Sequence, residues 1–193
     1  MSPDAPGFTS DEDLQKSAVG ELRPHNAPIE LADYDPRWPQ LFGREAERIR
    51  SVLGGRALLV EHAGSTSVPG LPAKPLIDIV LAVPDSADEP GYVPNLTAAG
   101  YRLTIREPEW FEHRLFKGPD TNINLHVFTA GTPEIARMLR FRDWLRAHDD
   151  DRDYYAAAKR GLAGREWRHV QHYAEAKTAV VQEIMARADA AAR

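Results

Sequence analysis

Apolar positions along this chain change period several times, and each change marks an element. Between residues 37 and 53, Trp38, Leu41, Phe42, Ile49 and Val52 recur at helical spacing, and Gly54-Gly55 stops the run, which predicts an amphipathic helix. Just before it, Ile29-Glu30-Leu31 alternates like an edge strand and Tyr34-Asp35-Pro36 turns the chain into the helix. Short apolar runs over 57–60 and 76–83 read as buried strands, the second the longer. A helix over about 90–99, closed by Gly100, leads to strands over 101–105, 111–116 and 123–128, the last two joined by the turn Lys117-Gly118-Pro119-Asp120. In the last of these strands Asn122, Asn124, His126 and Phe128 share one side, and Ile123, Leu125 and Val127 the other. From Thr132, a plausible cap, and Pro133, a plausible first helical residue, the pattern is helical, with helices at about 133–147, 150–163 and 169–190.

This order predicts an α+β fold: a mixed β-sheet flanked by helices, followed by a C-terminal helical bundle. Three parts follow from it. Residues 1–28 form a partly ordered extension, with a short helix capped by Ser10-Asp11-Glu12-Asp13, reaching Val19, and then the breaker-rich stretch 23–28. Residues 29–131 form the α+β core and 132–193 the helical part packed on it. Charge divides at the same place: residues 1–131 hold 12 basic and 19 acidic residues, whereas 132–193 hold 12 and 10.

Composition narrows the chemistry. The 193 residues are 42% hydrophobic and 27% charged, with no cysteine; a disulfide framework, a thiol nucleophile and a thiolate zinc site are all excluded. A net charge of −5 argues against a surface that coats nucleic acid. No apolar run approaches the roughly 20 residues of a membrane span, and the start, Met-Ser-Pro-Asp, lacks the basic and apolar regions of a secretory signal. A cytoplasmic protein is the expectation.

The densest chemical signal is Glu61-His62-Ala63-Gly64-Ser65-Thr66-Ser67-Val68-Pro69-Gly70, followed by Lys74 and by Asp78 inside an apolar strand. Small residues at a strand end let amides and hydroxyls crowd around one point, a concavity that suits phosphate oxygens. Asp78 must find a metal, a cation or solvent, because a dry unpaired carboxylate is prohibitively costly. If the polar side of the last strand joins it, His62, His113 and His126 gather around one carboxylate. They would then bind a transition metal or act as acid–base groups near neutral pH; the alternative is separate histidines hydrogen-bonded within an ordinary cleft. In the helical part, the stripes Ile135-Met138-Leu139-Arg142-Leu145 and Val170-Tyr173-Ala174-Lys177-Val180-Val181-Ile184 point Arg142 and Lys177 inward. Either their stems snorkel, or both cations meet phosphate in the cleft between the parts. The acidic run 149–153 lacks the glycine and terminal glutamate of a calcium loop and reads as a charged helix start.

A strand, Gly64-Ser65, a spacer and then a strand carboxylate resembles the nucleotidyltransferase superfamily. More closely, residues 61–71 with Ala73-Lys74-Pro75, Tyr34-Asp35-Pro36-Arg37-Trp38, His113-Arg114-Leu115-Phe116, Asn124-Leu125-His126-Val127-Phe128 and Phe141-Arg142-Asp143-Trp144-Leu145 resemble the GrpB family, also called UPF0157, from about Ile29 to Met185. The resemblance implies a nucleotidyltransferase-like fold and no settled reaction; the Gly64-Ser65 to Asp78 spacing adds the expectation of a bound nucleotide or other phosphate-bearing small molecule and a transfer to an unknown acceptor. Asp78, His126 and Lys177 would be catalytic, and His62, Gly64, Ser65, Thr66, Ser67, Lys74, His113, Arg114, Asn124, Arg142 and Tyr173 would bind substrate. Asp78 and His126 would hold a divalent cation, magnesium or manganese before zinc. The family's occasional fusion to dephospho-CoA kinase implies a second reading, a non-catalytic scaffold or folding partner for a coenzyme A biosynthesis enzyme. One departure stands out. The superfamily's second carboxylate place is Val80 here, and the third falls at His126, so the two-metal mechanism lacks its donors.

Overall fold

In the computed structural model, which describes residues 8–191, the first long helix is α2 (Trp38–Leu53), after a short α1 (Asp11–Ser17). Its entry follows local chemistry. Asp35 accepts from the Arg37 amide at 2.9 Å and Pro39 lies in the first turn, where a missing N–H costs nothing. Trp38, Ala46, Ile49 and Leu53 form its buried stripe. Ser10 caps α1 as expected, its hydroxyl accepting from the Asp13 amide.

One five-stranded sheet carries the core. The strands β1 (Leu59–Ala63), β2 (Ile77–Val83), β3 (Arg102–Glu107), β4 (His113–Lys117) and β5 (Ile123–Thr129) lie in the order β1-β2-β5-β4-β3. Only β2 and β5 run parallel, Asp78 opposite Asn124 and Val80 opposite His126; the other neighbours are antiparallel. Alternation then gives the sheet two faces. On one, Val60, Ile77, Ile79, Leu81, Val83, Phe116, Ile123, Leu125 and Val127 pack on α2 and on Leu96 of α3 (Val93–Ala98). Each such side chain, fully buried, contributes about 1.5–3 kcal/mol. On the other, Ala63, Val80, Ala82 and Phe128 meet Ile135, Met138 and Leu139 of α4 (Pro133–Ala147).

The helical part continues with α5 (Asp149–Ala163), α6 (Val170–Ala176) and α7 (Thr178–Ala191). Besides the α4 contact with the sheet, it docks where Leu145, Tyr155, Ala156 and Ile184 close over Val68 and Leu71, just beyond the β1 bend. The acidic run opens α5, and Asp151 is buried, accepting from the Trp144 indole at 2.6 Å.

Several expectations need correction. Residues 29–31 form no strand, because the Ile29 amide donates to the Ala163 carbonyl and only isolated bridges, Ala27 to Trp167 and Ala32 to Ala73, flank it. The 57–60 strand lies at Leu59–Ala63 instead, separated by Ala57 and Leu58 from a 3₁₀ turn over Gly54–Arg56. The helix expected over 169–190 is two, meeting at Lys177, whose amide reaches back to Ala174 at 3.2 Å, and Val170 at its start is exposed. The N-terminal Met-Ser-Pro-Asp and part of the 1–28 extension lie outside the described residues. Among the described residues no helix is long and apolar enough to cross a membrane.

Candidate functional site

β1 ends at Ala63, which pairs with Asp78, so the following bend is delivered beside that carboxylate. Gly64 takes φ +65° and ψ −173°, a region open essentially to glycine. A Cβ there would lie 2.2 Å from Asp78 Oδ2. Residues Ser65–Ser67 form a 3₁₀ turn in which two hydroxyls close the bend itself. Ser67 Oγ donates to the Gly64 carbonyl at 2.6 Å, and Thr66 Oγ1 donates to the Leu76 carbonyl at 3.1 Å. The Ser65 hydroxyl alone of these points away, to the Lys159 ammonium at 3.0 Å.

Across the sheet from the bend, Asp78 Oδ1 accepts from Asn124 Nδ2 at 3.0 Å and lies 3.6 Å from His126 Nε2. Burial pushes the Asp78 carboxyl up, but His126, Asn124 and the charge of Lys74 outweigh that and hold it below the usual range. Behind His126 the polar line continues: His126 Nδ1 is 3.1 Å from His113 Nε2, and His113 Nδ1 is 2.6 Å from Glu107 Oε2. Two neutral rings carry two N–H protons, enough for the two hydrogen bonds that join His126 to His113 and His113 to Glu107. The rings of His113 and Phe128 stack at 4.8 Å and Trp110 closes the edge, a dry setting that pushes His113 down by burial.

Cations surround the carboxylate. Lys117 Nζ donates to Asn124 Oδ1 at 2.5 Å; burial, then Lys74, pushes its ammonium down. Lys74 is pushed down by burial, with Asp78 opposing. Lys177, 4.3 Å from the centre of the Tyr173 ring, is pushed down to about 8 by burial against the same opposing carboxylate. Lys159 is fully buried and sits at about 7, through burial and then the charges of Lys177 and Arg160. The Tyr173 hydroxyl is buried without a hydrogen-bond partner among the described residues.

Bend, Asp78, Asn124, His126, His113, Lys74 and Lys177 thus share one side of the sheet or its rim, with Tyr173 beside Lys177. Three expected residues do not join them as ligand-binding groups. His62 pairs with Ile79 and belongs to the opposite face, buried and stacked on Phe42 at 4.8 Å; burial pushes it down to about 4. Arg114 also faces away, bonded to Glu89 at 2.7 Å and to Glu112. Arg142 enters the seam between α4 and β1 but is spent on Glu61, Asp143 and the His62 carbonyl. Thr66 and Ser67 are spent as described above.

Sequence reasoning missed Lys159, Lys117 and Glu107. A signal for Lys159 existed: Tyr155, Lys159 and Ala163 are spaced four apart and share the buried face of α5. Lys117 pairs with Asn124, and Glu107 with His113, relationships that exist only once the strands are registered.

The donors do not fit a two-magnesium centre. Asp78 is already bonded to Asn124 and within the field of Lys74 and Lys177, Glu61 on the same face is bonded to Arg142, and Val80 is buried and apolar. Among the described residues no group of three or more His, Cys, Asp or Glu side chains is placed to hold a metal. A separate open cavity of about 240 Å³, lined by Arg56, Asp85, Asp88 and Tyr92, lies at the far end of β2 and shares none of this chemistry.

The chain belongs to the GrpB family: the family described as GrpB protein matches residues 28–187. A UPF0157 protein of Halalkalibacterium halodurans is 71% identical over 181 residues, covering 94% of this chain and 93% of that one. A solved structure, the conserved protein GrpB from Enterococcus faecalis, superposes with a TM-score of 0.69 at 30% identity, over 82% of this chain and 96% of the other. A dephospho-CoA kinase of Mycolicibacterium paratuberculosis is 32% identical over 188 residues, 84% of this chain but 46% of that protein.

Proposed function

We propose that this protein binds a nucleotide, or another phosphate-bearing small molecule of the cytoplasm, in the hollow between the Ser65 bend and the α6–α7 junction. One observation carries the reading: Lys74, Lys117 and Lys177 converge on Asp78, each ammonium pushed down from its ordinary value by burial while that carboxylate opposes the shift. Such a surplus of partly desolvated cations lacks a counter-charge, and phosphate oxygens supply one. Nucleotidyl transfer to a hydroxyl or amine is the reaction class consistent with the Gly64-Ser65 to Asp78 arrangement. Lysines would offset the phosphate charge, and Asp78 with His126 would accept the acceptor's proton.

Thermal unfolding with ATP, CTP or coenzyme A, each with and without EDTA, tests the reading. Ligand at 100 times its dissociation constant stabilises by about 2.7 kcal/mol, and the shift is expected to survive EDTA. Loss of every shift, with or without added magnesium, removes the proposal.

A second reading rests on the match to under half of a protein named dephospho-CoA kinase. There the chain serves as a docking or folding partner for a coenzyme A biosynthesis enzyme, and its hollow is silent. Stable copurification with such an enzyme, together with no nucleotide shift, would favour it.

A further inference from the structure

We infer that Ser65 is a nucleophile and Lys159 its general base, a pair that accepts a phosphorus-centred group from the ligand of this hollow; the inference rests on the phosphate-binding reading above. Ser65 is half-buried at the rim, and its Oγ lies 3.0 Å from Lys159 Nζ. The other two hydroxyls of the bend are committed to backbone carbonyls. Lys159 is only 2% exposed, and its hydrogen-bond partners among the described residues are Ser65 and the Pro72 carbonyl, both neutral.

A buried ammonium without a carboxylate is costly, so the amine form is favoured. As an amine, Nζ donates one hydrogen to Pro72 and turns its lone pair to the Ser65 hydroxyl. Pro72 then plays the part of the group that orients a base. Two cations press the same way, Arg160 from its own helix and Lys177 from the α6–α7 junction, while the Tyr155 ring at 4.9 Å favours the ammonium and opposes them. Asp78 acts on Tyr155 and Lys177 and not on Lys159. The resulting value of about 7 for Lys159 suits a base working near neutrality.

In the step, Ser65 Oγ attacks the phosphorus of a phosphoanhydride. The Oγ–P bond forms as the bridging P–O bond breaks, and the bonding pair leaves on the departing phosphate oxygen. The hydroxyl proton passes to Lys159 Nζ. Lys177 and Lys74 offset the charge of the leaving group, and no oxidant or reductant is needed.

A fluorophosphonate probe presents the same phosphorus electrophile with fluoride as leaving group. The full chain is treated with it and the adduct mapped by peptide mass spectrometry, while the ATP-induced thermal shift is measured on the same preparation. The expected result is a single adduct on Ser65, formed at a rate that rises with pH around a midpoint near 7. It is absent in Ser65→Ala and at least ~100-fold slower in Lys159→Arg. Were Lys159→Arg to fail to fold, the pH profile of the unaltered protein decides. Absence of the adduct with the ATP shift retained overturns the dyad and leaves the binding reading standing. A Ser65 adduct with a flat pH profile, or one untouched by Lys159→Arg in folded protein, also overturns it. Absence of both adduct and shift overturns both readings.

Discussion

Gly64 rests directly on Asp78: a Cβ on Gly64 would sit 2.2 Å from Asp78 Oδ2 and 2.9 Å from its Cβ. Two separate penalties therefore oppose any side chain at position 64, the backbone region it occupies and the carboxylate it would strike. Gly64→Ala is expected to lose on the order of 3 kcal/mol in urea denaturation. In an Asp78→Ala background the 2.2 Å clash with the carboxylate is relieved, leaving the backbone penalty and the 2.9 Å approach to Cβ, so the double variant loses less than the two single losses combined. Strict additivity would show that the bend and the carboxylate are not in contact.

Arg142 ties the helical part to the sheet. Its Nη1 donates to Glu61 Oε2 at 2.7 Å and to the His62 carbonyl at 2.9 Å, and its Nε to Asp143 Oδ1 at 2.7 Å. Arg142→Met leaves a buried carbonyl unpaired and is expected to cost about 2 kcal/mol, with the nucleotide-induced thermal shift intact. The reverse pattern, stability kept and the shift lost, would return Arg142 to the phosphate-binding role its helical stripe suggested.

Glu107 fixes the tautomer of His113, since a carboxylate accepts only from a protonated Nδ1, which leaves Nε2 free to accept from His126. Ring-nitrogen NMR should find His113 Nδ1 protonated at neutral pH. Burial holds His113 below its ordinary value, so the native ring stays neutral where the unfolded one gains a proton; stability therefore falls as pH drops below about 6.5. Glu107 opposes that depression. In Glu107→Leu the ring should titrate lower still, and acid sensitivity should increase. An unchanged His113 titration would break the proposed link.

Lys159 makes the opposite end of the pH range informative. Its native value is about 7 against an ordinary 10.5. Between those values the unfolded chain holds a proton that the native one lacks, so stability gained from this group rises with pH, by at most about 1.4 kcal/mol per pH unit. Lys159→Met lacks that slope. The variant's stability advantage over the parent should be greatest near pH 7 and shrink toward pH 10, by urea denaturation. Parallel slopes for the two proteins would mean that Lys159 stays charged in the fold.

The two faces of β5 were legible because a strand fixes alternation locally: Ile123, Leu125 and Val127 enter the core while Asn124 and His126 lie on the other side, against Asp78 and His113. His62 was misplaced for a related reason. With the strand ended at Val60, its parity was unassigned; the strand runs to Ala63, and His62 shares the core side of Val60. The edge strand at 29–31 failed because alternation says nothing about whether a partner strand exists, and here the neighbour is the end of α5.

Periodicity and composition alone determined the α+β order of elements, the glycine-serine bend and the carboxylate within an apolar strand; the missing second carboxylate at Val80 came from the resemblance to the nucleotidyltransferase superfamily. The former are properties of residues near one another in the chain, where backbone geometry dictates the outcome. Only the tertiary structure decided that Lys159, from a helix 94 residues beyond Ser65, reaches that hydroxyl, that Glu107 reaches the histidine line, and that Arg142 is consumed by Glu61. Such contacts depend on strand register and helix docking, which the packing of the whole core sets and no local pattern encodes.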